Sequence, residues 1–132
     1  MGQIVNLKCE RCGYEANLWV GAGMTFFDIE KTITLFNKDT QQRIRNDLEK
    51  NPNGTWTITK EIGVCERCRK ISAIPVFILN KEDGTVVEYR GKCICGGDVD
   101  IVDMEKVLSG EIKLECPACG DLLVARNEGY WD

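Results

Sequence analysis

Eight cysteines in four tight pairs constrain this chain more than any other feature: Cys9 and Cys12, Cys65 and Cys68, Cys93 and Cys95, Cys116 and Cys119. Three pairs are C-x-x-C and one is C-x-C. A short turn of this kind directs both sulfurs to one side, where backbone N–H groups help to hold their negative charge. Four pairs make two four-cysteine sites, the arithmetic of structural zinc, so two Zn2+ are the expected cofactors and iron is the alternative. Gly follows the second Cys in three pairs (Gly13, Gly96, Gly120), as a turn with positive φ favours, whereas Arg69 follows Cys68. An even cysteine count also permits a disulfide framework. The opening MGQIVNLKCE has no signal-peptide core, however, and such close spacing favours chelation over bridges between distant strands. Redox dithiol chemistry fits a lone C-x-x-C better than four pairs.

The chain has 132 residues and no His, which excludes a His-ligated catalytic metal, a His-dependent triad and an imidazole pH switch. With 43% apolar and 29% charged residues it reads as folded rather than disordered. No apolar run approaches the ~20 residues of a membrane span. A cytoplasmic protein with no membrane partner is expected.

Knuckles are assigned to metals by what lies between them. KCICGGDVDIVD and IKLECPACGDLLVAR read as two knuckles flanked by strands, with Val99 and Ile101 alternating against Asp98 and Asp100. Cys93, Cys95, Cys116 and Cys119 are therefore expected to share one metal (site 2) in a C-terminal ribbon over 92–132. By elimination, Cys9, Cys12, Cys65 and Cys68 form site 1 in an N-terminal ribbon over 1–72, around a 52-residue insertion. A β-hairpin over 73–91 connects the two. The rival scheme joins the second knuckle to the third and the first to the fourth. With Asp83-Gly84 as a two-residue turn, Ile74 would face Cys93, and Cys68 would lie ~20 Å further along a regular strand. A break at Pro75 would restore the rival.

The expected fold is mostly β with two short helices, its two four-cysteine zinc ribbons packed together. A weak repeat relates LKCERCGYEANLWV to LECPACGDLLVA. The insertion reads as a strand, FFDIEKTITLF, then a helix over 40–50 capped by Asp39 and ended by Asn51-Pro52-Asn53-Gly54, then a strand returning to Cys65. A second helix, over 103–109, has Asp103 as cap and Gly110 as stop.

At its knuckles the chain resembles the broad zinc-ribbon class of transcription-factor, polymerase-subunit and topoisomerase modules. Cys9-Glu10-Arg11-Cys12-Gly13-Tyr14-Glu15, followed by Gly21-Ala22-Gly23, also resembles a group of uncharacterised small bacterial zinc-ribbon-containing proteins; the class implies no single activity. Cys9 to Tyr14 is similar to the first knuckle of a rubredoxin, which implies an iron electron carrier as a minor alternative. CERCRK lacks the Pro and Gly of that family, and the insertion is long for its fold.

Charge bears on the partner. Residues 1–70 hold 11 Lys and Arg against 9 acids, and residues 71–132 hold 6 against 12, so the C-terminal half suits the phosphate backbone poorly. The cationic candidates for nucleic acid are Arg43, Arg45 and Lys50, with Lys8, Arg11, Arg67, Arg69 and Lys70; Trp19, Phe26, Phe27 and Trp56 would stack on bases. The plainer reading pairs Arg43 with Asp47 and Arg45 with Glu49 on the helix and puts the aromatics in the core. Gly21-Ala22-Gly23 lacks the following Lys-bearing helix of a phosphate loop and reads as a turn or bulge. Asp98 and Asp100 read as a solvated strand face rather than, with Asp103, a cation site. Trp131 is expected to pack on the C-terminal ribbon. No catalytic constellation and no small-molecule site emerge. The expected function is a structural-zinc protein-interaction or regulatory adaptor with a protein partner, the alternative being a nucleic-acid-binding accessory factor.

Overall fold

Period-two apolar alternation becomes strand along most of the chain, which the computed structural model describes over residues 2–22 and 28–131. The strands are β1 (Gly2–Lys8), β2 (Glu15–Gly21), β3 (Thr55–Cys65), β4 (Ile71–Asn80), β5 (Val86–Arg90), β6 (Val99–Val102) and β7 (Val124–Trp131). Three short helices join them: α1 (Ile29–Ile33), α2 (Lys38–Lys50) and α3 (Met104–Ser109). All strand neighbours are antiparallel in one sheet of order β5-β4-β3-β2-β1-β7, and β6 adds to β3 beyond its single pairing with β2, Gly21 opposite Lys60. The mostly β expectation holds, with one helix more than expected.

That extra helix replaces part of the strand read over FFDIEKTITLF. Ile29, Ile33 and Phe36 recur at i, i+4 and i+7, a helical stripe, and Asp28 caps α1 by accepting the Glu30 N–H at 3.0 Å. Phe26 and Phe27 lie outside the described residues. Helix α2 starts two residues earlier than expected, because Asn37 rather than Asp39 accepts the Thr40 N–H, at 2.8 Å. Helix α3 has its expected Asp103 cap and left-handed Gly110 stop.

Among the described residues the core falls into three clusters. Val5, Leu7, Leu18 and Val20 of β1 and β2 pack with Ile62, Ile71, Val107 of α3, Leu114 and Leu123. Ile33, Phe36 and Ile44 of the helices cover Ile58, Phe77, Leu79 and Tyr89. Only Cys65, Ile74, Cys93 and Val99 form the third. Trp56 stacks on Phe77 with ring centroids 5.6 Å apart, as a core aromatic should. Trp19, in contrast, stays about half exposed (51%). Trp131 packs against it with centroids 5.9 Å apart and donates its indole N–H to the Val20 carbonyl.

Helix α2 is fastened by contacts other than the i to i+4 pairs expected of it. Arg45 forms a two-bond pair with Glu30 (2.9 and 3.0 Å), and the Arg43 guanidinium lies 5.4 Å over the Tyr89 ring. The Tyr89 hydroxyl donates to Asp47. Burial, then this carboxylate, pushes the phenol up to about 12. Because the folded value exceeds the ordinary ~10, the stabilisation is complete below pH ~10 and lost as pH rises through about 12. Tyr89→Phe is expected to cost ~1–3 kcal/mol at neutral pH and to flatten the alkaline fall of the urea midpoint.

Candidate metal centres

Strand direction alone carries the four knuckles to one end of the sheet. β1, β3 and β5 run towards that end and lead into Cys9, Cys65 and Cys93, while β7 starts there, with Val124 opposite Lys8 just after Cys119. In each pair the first cysteine is buried and the second exposed.

The knuckles repeat one hydrogen-bond scheme. The first Cys donates its N–H to the carbonyl five residues on, and the N–H four residues on returns to the first Cys carbonyl: Cys9 with Tyr14 and Gly13, Cys65 with Lys70 and Arg69, Cys116 with Asp121 and Gly120. The C-x-C knuckle shortens each bond by one residue, Cys93 bonding with Gly97 and Gly96. The residue after the second Cys has positive φ throughout, 83°, 84° and 84° at Gly13, Gly96 and Gly120. Arg69 adopts the same turn at φ 65°, alone among the described non-glycine residues. A left-handed non-glycine residue costs ~1–2 kcal/mol, partly offset by glycine's greater unfolded entropy. Arg69→Gly is expected to raise stability by about 0.5–1 kcal/mol in urea denaturation.

Two quartets result: Cys9, Cys12, Cys116 and Cys119, and Cys65, Cys68, Cys93 and Cys95, the four sulfurs of each lying within 4.8 Å of one another. This corrects the expected pairing. The outer knuckles meet, the inner knuckles meet, and neither quartet is confined to the segment expected to fold around it. Cys9 Sγ lies 3.5 Å from Cys119 Sγ and Cys12 Sγ lies 3.6 Å from Cys116 Sγ. In the inner quartet the Cys65–Cys95 and Cys68–Cys93 sulfurs are both 3.5 Å apart. A disulfide needs ~2.05 Å; sulfurs on a tetrahedral zinc at ~2.3 Å lie ~3.8 Å apart. Donor type, number and spacing all fit a tetrahedral thiolate-bound ion.

The expected geometry failed at Pro75, though not by breaking β4. The Pro75 carbonyl accepts the Gly91 N–H, so the residue's nitrogen, which has no hydrogen, also faces β5. The ladder ends there, and the chain turns across the end of β3 and β4 instead of running on beside β4. It resumes on the opposite edge of β3, with Val99 opposite Cys65. The hairpin is also one residue out of the expected register: Asn80 pairs with Val86, and Gly84 takes a left-handed φ of 88° in the longer turn. The internal repeat was the signal that held the answer. Its two copies form the outer quartet, with Leu7 and Leu114 buried in the same cluster.

In the metal-free protein the backbone makes each quartet unequal. The Cys68 N–H, helped by that of Arg67 against the effect of burial, brings Cys65 down to about 6. The Cys12 and Arg11 N–H groups do the same for Cys9, to about 7. The Lys70 N–H lowers Cys68, but the Cys93 thiol and burial outweigh it and push Cys68 up to about 11. Despite the Asp121 N–H, burial and three neighbouring sulfurs push Cys119 up to about 12. Metal uptake must displace these protons, so affinity falls as pH is lowered. At the inner quartet, a Cβ on Gly97 would lie 2.9 Å from Cys65 Sγ, and the Arg67 guanidinium reaches the Cys95 carbonyl at 3.4 Å.

No family model, curated protein or solved structure matches the chain. The two four-cysteine clusters are compatible with zinc-ribbon-like sites on chemical grounds. The other sequence candidates are dispersed. Asp98 pairs with Lys92 at 3.8 Å, Asp103 caps α3, and Asp100 raises the pKa of Glu66 by hydrogen bonding. Gly21 ends β2 with a φ of 93°, and Gly23 lies outside the described residues. Among the described residues no helix is long and apolar enough to cross a membrane.

Proposed function

We propose that the chain is a non-enzymatic protein-interaction adaptor of the zinc-ribbon kind, with Zn2+ as a structural ion in each quartet. The carrying observation is that all eight cysteines close into two quartets at one end of a single sheet. Four thiolates fill a tetrahedral ion and leave no position for an activated water. Each centre fixes a pair of knuckles and presents their tips outward, an arrangement for display rather than turnover.

Nucleic-acid binding is the second reading, favoured by the cations beside the inner quartet: Arg67, Arg69, Lys70, Arg90 and Lys92. Among the described residues, no large exposed aromatic lies beside them. Trp19 and Tyr130, the large exposed aromatics among the described residues, sit opposite Ile4 and Gln3, near the end of β1 away from the knuckles. Single-stranded nucleic acid is held best where cations and aromatics interleave. Arg43 and Arg45 are already engaged by Tyr89 and Glu30.

Metal analysis of purified protein should give two zinc ions per chain in a colourless sample; a red iron protein would replace this reading with electron transfer. Pull-down from the native host, with and without nuclease, separates the other two. Partners that survive nuclease support the adaptor, and partners lost with it support nucleic acid.

A further inference from the structure

We propose that the tip of the inner quartet is the docking surface, and that its partner is an acidic peptide segment bearing a large apolar side chain; this rests on the adaptor reading. Ile94 lies between Cys93 and Cys95. With both flanking sulfurs turned inward to one ion, the intervening side chain must point outward, and Ile94 is 91% exposed. A lone exposed aliphatic is ordinary, but this one is held on a metal-braced turn. The other knuckles carry Glu10-Arg11, Glu66-Arg67 and Pro117-Ala118 at the equivalent places.

Cations flank the two knuckles of this quartet, and the Arg67 guanidinium reaches the carbonyl of Cys95, next to Ile94. Residues 65–70 and 90–98 hold five Lys and Arg against two acids. Lys92 pairs with Asp98, and Arg90 with Glu88, whereas among the described residues Arg67, Arg69 and Lys70 form no ion pair. Neutralising the thiolates does not account for this excess. The outer quartet carries the same sulfur charge, yet its flanks, residues 8–15 and 113–121, hold three cations against four acids.

A second observation points the same way. Arg69 keeps an unfavourable left-handed backbone where its three counterparts are Gly, and backbone strain of this kind clusters at functional sites. Arg69 directly follows Cys68, whose sulfur lies 3.5 Å from that of Cys93, so an arginine there adds a cation to the knuckle that meets Ile94's own. Unpaired cations around one projecting aliphatic complement acidic residues around one apolar side chain.

The test uses the full-length zinc-loaded protein. A random peptide phage library is selected on it, and a labelled winner is titrated by fluorescence anisotropy beside short single-stranded DNA and RNA oligonucleotides. Winners should carry Asp or Glu around one large apolar residue. Ile94→Ser and Arg69→Gly should each weaken binding by about tenfold, with two zinc ions and the native circular dichroism retained. Winners without that signature, or bound equally by both variants, overturn this surface while leaving an adaptor that binds elsewhere. Oligonucleotide binding with no peptide enriched overturns both readings in favour of nucleic acid, and no binding of any probe overturns both outright.

Discussion

Stripping both ions with a strong chelator is expected to collapse amide protection in β1, β2, β6 and β7 by at least about a thousandfold, or ~4 kcal/mol. Structural zinc contributes an apparent ~10–16 kcal/mol per site, as much as the whole stability of an ordinary domain. The segment from Lys92 onward contributes one knuckle to each quartet, so chelation releases two of its anchors at once and leaves it only the β6–β3 and β7–β1 pairings and its share of the first core cluster. Bare thiolates 3.5 Å apart would also repel by ~5 kcal/mol at an effective dielectric constant of ~20, and must take up protons instead. Around Phe77 and Ile58 the outcome should differ, because that cluster is roofed by α1 and α2 and contains no cysteine. Its β3 and β4 amides should keep the slowest exchange. Hydrogen-exchange mass spectrometry reads both regions at once. Unchanged protection throughout the metal-free protein would remove the structural role of the ions.

Double cysteine substitutions should show a pattern set by which knuckles meet. Cys9→Ser with Cys116→Ser damages one quartet only, so the protein should purify with one zinc and lose little beyond the more damaging single change. Cys93→Ser with Cys116→Ser strikes both quartets and should leave no tightly bound ion. Each lost thiolate is expected to weaken its own centre by more than about a hundredfold. The adjacent pairing predicts the reverse, with the second variant keeping one ion and the first keeping none. Elemental analysis after desalting is sufficient to decide.

Chemistry that lies within a few residues was legible in the sequence. The knuckles, the Asp103 cap, the Gly110 stop and the alternation of Val99 and Ile101 each depend on short-range geometry, and each stands in the structure. The FFDIEKTITLF segment misled because its alternation and the helical stripe of Ile29, Ile33 and Phe36 overlap, and packing on Phe77 decided for helix. Which knuckles meet was not local at all. It turned on whether β5 continues beside β4, and one missing N–H at Pro75 ended that ladder. The repeat carried the information in another form: two like knuckles, each two residues after a buried leucine, share one centre.

The nesting of the two centres also fixes an order in time. Cys68 and Cys93 are separated by 24 residues, Cys12 and Cys116 by 103. Closing the longer loop first would cost ~1.3 kcal/mol more in chain entropy, and on a ribosome its last ligands emerge after the inner four. If both quartets take up ions, the inner centre is therefore expected to load first. Cys9 and Cys12, translated earliest, must then wait for Cys116 and Cys119, and are expected to be the thiols open longest to oxidation or to a wrong metal.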